Sequence, residues 1–168
     1  MERPWLFLFA LLIACPAQAR VERVEILSRA DVLEGKAFGN AGAYEKRIGK
    51  VHFAVKPEVA PNKLIVDVDL APRNERGEVE FSSDVYILKP KDPKHSSGSA
   101  LIEIPNRGGK GMLRVIQNAK SSLDPTTSEE FGDGFLMARG TTLICIGWQW
   151  DVCHEPGLLR LDAPVAKG

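Results

Sequence analysis

Between residues 21 and 88 apolar side chains recur at alternate positions, and that period of two confines this half of the chain to strands with one wet face. Val24 and Ile26 alternate with Arg23 and Glu25, and Val51, Phe53 and Val55 alternate with Lys50, His52, Ala54 and Lys56. Leu64, Val66, Val68 and Leu70 alternate with Ile65, Asp67 and Asp69, while Phe81, Val85 and Ile87 continue the theme. Turn-forming stretches at 35–42, 57–62 and 71–77 separate these runs. A mostly antiparallel, half-exposed β-rich region is therefore expected over residues 20–98.

After the polar, breaker-rich loop 89–98 the pattern changes. Ala100 to Ile104 reads as a short apolar strand ending at Pro105, and Gly108-Gly109 turns the chain. Met112, Val115, Ile116 and Ala119 stand at i, i+3, i+4 and i+7, which predicts a one-faced helix. Thr126-Thr127-Ser128-Glu129 offers a capping box for a second helix carrying Phe131, Phe135 and Leu136, weakened by Gly132 and Gly134 and closed near Gly140. Thr141 to Ile146 is almost wholly apolar, as expected of a strand buried on both faces. Strand, Gly-rich loop, helices and buried strand together spell one crossover unit of a parallel sheet over residues 99–168, so the expected fold class is α/β. Such a sheet needs more strands than this segment supplies, and the tail 157–168 adds no convincing closing element, so the segment reads as a truncated core.

At the other end, Arg3 precedes the apolar run Trp5 to Ala14, and Ala17-Gln18-Ala19 supplies small residues of the kind a signal peptidase accepts. Residues 1–19 are expected to be a cleavable export signal, leaving the protein periplasmic or extracellular. The alternative is a lipoprotein anchored through Cys15, since Leu12-Ile13-Ala14-Cys15 resembles a lipobox. The run is too short to span a bilayer, which takes about 20 apolar residues, and no later run approaches that length, so no stable membrane span is expected. Lysines and arginines number 22 against 22 acidic residues, and removing the leader deletes Glu2 with Arg3. That balance gives no reason to expect nucleic acid as a partner. If Cys15 leaves with the leader, Cys145 and Cys153 form either one disulfide or two reduced thiols.

Several chemistries fail on spacing. Gly108-Gly109-Lys110-Gly111 has no earlier glycine at phosphate-loop distance and no Ser or Thr after the lysine, and Gly35, Gly39 and Gly42 do not fit G-x-G-x-x-G. Asp151, Cys153 and His154 lie close together, but no second pair stands at structural-zinc spacing, so neither metal nor cofactor is expected. No serine sits in a G-x-S-x-G frame, so no catalytic residue is assigned. The segment with most to say is 104–111: glycines directly after a parallel strand can turn backbone N–H groups toward a developing anion. Asn106, Arg107, Gly108 and Gly109 are accordingly the oxyanion-loop candidates, the alternative being a plain turn whose glycines only supply positive φ. Trp148, Trp150 and Asp151, at the carboxyl end of the last strand, are pocket candidates, with aromatic packing beneath loops as the competing reading.

Six blocks in order, Phe38 to Glu45, Gly49 to Val55, Asp67 to Asn74, Ile104 to Lys110, Gly134 to Gly140 and Gly147 to Val152, resemble the N-terminal portion of a secreted α/β-hydrolase-domain family. The resemblance implies a serine hydrolase acting on ester or related acyl bonds, with nucleophile, acid and histidine downstream of these residues. The loop departs from the lipase-type His-Gly-Gly-Gly pattern, having Asn106-Arg107 where a histidine would stand. The expected function is thus the N-terminal fragment of an exported, serine-esterase-type hydrolase, inactive alone and taking a small ester-type substrate when complete. An exported, non-catalytic β-rich binding module is the alternative. The resemblance leaves the substrate and the oligomeric state open.

Overall fold

A computed structural model of the chain describes residues 19–167. The export signal expected at 1–19 and the alternative anchor Cys15 lie outside the described residues, apart from Ala19, which opens the first strand. Six strands form one mixed sheet: β1 (Ala19–Asp31), β2 (Tyr44–Val55), β3 (Val79–Pro90), β4 (Ala100–Glu103), β5 (Thr142–Ile146) and β6 (Leu161–Asp162). Their order is β1-β2-β3-β5-β4, with β6 pairing to β3 beyond the end of β5. Only β4 and β5 run parallel; the pairs β1–β2, β2–β3, β3–β5 and β3–β6 are antiparallel.

The expected α/β class is corrected by this architecture. Among the described residues the molecule is mostly a mixed β-sheet, and the two α-helices there are short: α1 (Met112–Gln117) has six residues and α2 (Ser128–Phe131) has four. Local backbone conformation stops both. Asn118 takes the left-handed conformation at φ 53° and ends α1, while Gly132 at φ 65° ends α2 before Phe135 and Leu136 are reached. The capping box exists one residue later than expected, with Thr127 and Glu130 as its reciprocal pair.

A second correction concerns residues 64–70, which alternate like a strand but form two 3₁₀ turns, Ala60–Leu64 and Val68–Leu70, with Asp67 between them in the left-handed region at φ 57°. Only Val68 of the alternating set is buried. A third concerns β5, whose burial alternates along the strand, so one of its faces is only partly covered.

Cross-strand register explains which face is which. Ile48 opposes Tyr86, Tyr86 opposes Cys145, and Leu101 opposes Leu143, so these side chains share one face. The helices and the 3₁₀ segments around them cover that face. Their Met112, Leu113, Phe131 and Met137 join Tyr44, Tyr86, Leu88, Leu143 and Leu159 in the main core. Phe38 meets both Tyr44 and Phe131 edge-on, with centroids 5.5 and 6.3 Å apart. The other face carries a smaller cluster, Val55, Val68 and Val79 with Phe81, under the 60–71 turns. Further along that face Ile87, Ile144 and Ile146 are half-buried, and Ile102 on the edge strand is exposed. At the opposite edge β1 is mostly exposed, but Arg23, Glu25 and Arg29 and two register shifts against β2 discourage pairing with another chain.

Candidate functional site

Because β4 and β5 are parallel neighbours, their carboxyl ends emerge side by side, and the loops that follow are brought together. All seven candidate residues lie in this pair of loops. After Pro105, the short 3₁₀ turn Asn106–Gly108 places Arg107 in the left-handed conformation at φ 54°. Trp148 donates its indole N–H to the Pro105 carbonyl (2.8 Å), and the Arg107 amide donates to Gln149 Oε1 (2.5 Å). The Arg107 guanidinium donates to Asp151 Oδ2 at 2.6 Å and holds that carboxyl below its ordinary range. Both partners are roughly half exposed, so this pair orients the loops more than it stabilises them. The rings of Trp148 and Trp150 stand open to solvent rather than under a loop.

The amides bear on anion binding. Arg107 N–H is committed to Gln149, and Gly109 N–H closes a turn to the Asn106 carbonyl at 3.4 Å. Gly108 has φ 76°, and a Cβ there would stand 2.6 Å from the Leu159 carbonyl oxygen, while Leu159 N–H donates to Gly108 O at 2.9 Å. Glycine at this position lets the 157–160 segment lie against the loop. The loop and its neighbour therefore make a preorganised, exposed rim of two tryptophans, one guanidinium and one carboxylate.

Sequence reasoning missed three groups close by. Glu103, an acidic residue in an otherwise apolar strand, accepts the amides of Gly111 (2.8 Å) and Met112 (3.0 Å), fixing the start of α1, and lies 3.5 Å from Cys145 Sγ. Burial, reinforced by the Glu103 carboxylate, pushes the Cys145 thiol up to about 12. Gln149, which lies between the two tryptophans, carried no signal of its own. Lys110 is buried, and its ammonium donates to the carbonyls of Leu123 and Gly157 while sitting 4.9 Å from the Tyr86 ring centroid. Burial lowers its pKa. The glycine run around Lys110 was the available clue, but it pointed to the loop and not to the lysine.

The other groups capable of chemistry are dispersed. His52 Nε2 lies 3.0 Å from Glu25 Oε2 on the sheet, and no group of three or more His, Cys, Asp or Glu among the described residues is placed to hold a metal ion. Cys145 and Cys153 are both free, the first buried and the second exposed. No helix among the described residues is long and apolar enough to cross a membrane. Comparison with protein-family models, with curated proteins and with solved structures finds no match for this chain.

Proposed function

We propose that the chain is the N-terminal part of an exported hydrolase of ester or related acyl bonds, in which it supplies scaffold and the 106–110 loop. Nucleophile, acid and histidine come from outside these residues, so the chain alone turns over nothing. The observation that carries this reading is β4. It is a parallel strand at a sheet edge, with Ile102 exposed by 56 % and the following Ile104 by 57 %. Parallel strands are ordinarily buried on both faces, and a bare apolar edge invites pairing, so β4 has the character of an interior strand awaiting a neighbour. The reading also rests on the six sequence blocks that resemble a secreted hydrolase family. The proposal concerns chemistry and does not restore the sheet type that the structure corrects. For the loop to receive an oxyanion, Gln149 would have to release the Arg107 amide.

A second reading, an exported binding module without catalysis, is favoured by the exposed rim of Trp148, Trp150, Arg107 and Asp151. The two readings part in one experiment: express the complete reading frame that contains these residues and assay it on a chromogenic butyrate ester beside the 168-residue chain. Hydrolysis by the complete product, lost on replacing one downstream serine, with an inert short chain, supports the hydrolase. A complete product without esterase activity, or a short chain that is itself active, overturns it.

A further inference from the structure

On the face of the sheet away from the helices, a cavity of about 290 Å³ lies between the turns at 65–71 and the tail segment 161–166. Val55, Val79 and Phe81 of β2 and β3 form its floor. Of its twelve lining residues, all but Asp67 are apolar. A backbone hydrogen bond, from the Lys167 amide to the Leu70 carbonyl at 2.9 Å, joins the two walls.

Such a lining suits hydrocarbon and not water. A water molecule held in a cavity needs about two to four polar partners, and these side chains offer one carboxylate. A dry cavity of about 150 Å³ with a comparable lining holds a benzene molecule, so this one has room for a chain of about eight carbons. Ile65 and Val66 line the cavity and yet are 49 % and 85 % exposed, which marks its open side. A chain entering there would cover them, and the apolar residues of 64–70 would gain a use that no strand pairing gives them.

Charge decides the head group. Asp67 is exposed at the same opening, and no basic residue among the described ones lines the cavity to answer it. An anionic head would face that carboxylate directly, while a cationic one would gain only the small attraction of a solvated charge.

We infer that this cavity binds an unbranched aliphatic chain of medium length with an uncharged head, the chain lying over Val55, Val79 and Phe81 and the head in water beside Asp67. The site is separate from the exposed tryptophan rim. It does not depend on the hydrolase reading, because its test measures binding and not turnover.

The test is calorimetric titration of the 168-residue chain with 1-octanol, 1-butanol, octanoate and octylamine, repeated with Asp67→Asn and Ala71→Leu. Octanol should bind saturably and butanol at least about tenfold more weakly, since four fewer methylenes leave water. Octanoate should be weaker than octanol by about fivefold, the size of a repulsion between solvated charges at close range. Asp67→Asn should close that gap and leave octanol unchanged, and asparagine tolerates the left-handed backbone at this position. Ala71→Leu puts a larger side chain on the cavity wall and should weaken octanol by about tenfold or more, with the melting temperature unchanged or higher. The comparisons of chain length and head group need no variant, so they decide the matter even where Ala71→Leu folds poorly. No saturable octanol binding up to about 3 mM would overturn the inference. So would butanol or octanoate binding as tightly as octanol, undiminished octanol binding in a folded Ala71→Leu, or octylamine binding more than about tenfold tighter than octanol, which would make this a cation site.

Discussion

Replacing Gln117 by Met should be among the most damaging single changes in this chain. Gln117 is fully buried at the end of α1, and its side chain ties that end to two stretches of backbone, the end of α2 and residues 136–137. Its Nε2 donates to the Phe131 carbonyl (3.1 Å), and its Oε1 accepts from the amides of Leu136 (2.8 Å) and Met137 (3.2 Å). Methionine has nearly the same length and fills the space, but leaves one carbonyl and two amides without partners. Phe131 and Met137 are 1 % and 0 % exposed, so water cannot take over there, whereas Leu136 is only partly buried. Each orphaned buried group costs about 1–3 kcal/mol, which puts the total at roughly 3–6 kcal/mol. That is a large share of the ~5–15 kcal/mol that holds an ordinary domain together. In a chain of this size it corresponds to a drop in melting temperature of roughly 10–20 °C. Urea titration followed by circular dichroism measures the loss directly, with Lys120→Met as a control, because its pairing with Glu129 at 3.9 Å is fully exposed. A loss below about 1 kcal/mol would show that these three backbone groups find other partners, and the reasoning would fail.

The Arg20 guanidinium holds the Glu78 carboxyl down at about 2, and the amides of Thr126 and Thr127 do the same for Glu130. Both folded values lie below the ordinary 4.5, so the stability they contribute is complete above that pH and drains away as pH falls toward about 2. Melting temperature should therefore fall steeply across that window, and Glu78→Gln should start lower at neutral pH but show a shallower slope; coincident slopes would exclude Glu78 as a source. Gly49→Ala would place a Cβ 2.0 Å from the Glu25 carbonyl oxygen, so β1 should detach from β2 there and its amides near Glu25 and Ile26 should exchange faster with deuterium, the rest of the sheet keeping its protection. Alkylation of the native protein followed by peptide mapping should modify the exposed Cys153 and spare the buried Cys145; equal labelling would mean that the β4–β5 region opens readily.

Strands were legible from sequence where a partner edge was free to accept them. β1, β2 and β3 form where alternation predicts them because each has a partner edge to pair with, although the edge strand β1 stays exposed along most of its length. Residues 64–70 alternate equally well and yet form turns. By the time they fold over the sheet, β3 is flanked by β2 on one side and by β5 and β6 on the other, so no edge remains beside them. Alternation describes what a strand would bury, not whether a ladder exists for it to join. The first helix failed in a different way. The stripe Met112, Val115, Ile116 and Ala119 names four positions, but Val115 and Ile116 are exposed while Leu113 and Gln117 are buried. A helix of six residues is too short for its own periodicity to set its orientation. What sets it is Gln117, whose amide satisfies Phe131, Leu136 and Met137 together. A hydrophobicity count assigns a glutamine to the surface.

The same contrast separates the exposed rim from the buried lysine, Lys110. The loops at 106–109 and 148–151 could be paired from sequence, because two apolar strands joined by a crossover segment must run parallel and deliver their ends to one side. The surroundings of Lys110 could not, since Tyr86 comes from β3, Lys110 itself from the loop after β4, and Gly157 from a tail that gave no sequence signal. Yet the glycine run holds a trace of them. A side chain at Gly108 would collide with Leu159, and one at Gly157 would stand 2.8 Å from the Leu123 carbonyl, whose oxygen Lys110 binds. Both glycines thus serve the close approach of the tail to the two loops, and that approach closes the space over Tyr86. Glycines next to a lysine invite a phosphate-loop comparison and fail it on spacing; in the folded chain they allow the backbone contact that buries the lysine and gives its ammonium two carbonyls to hold.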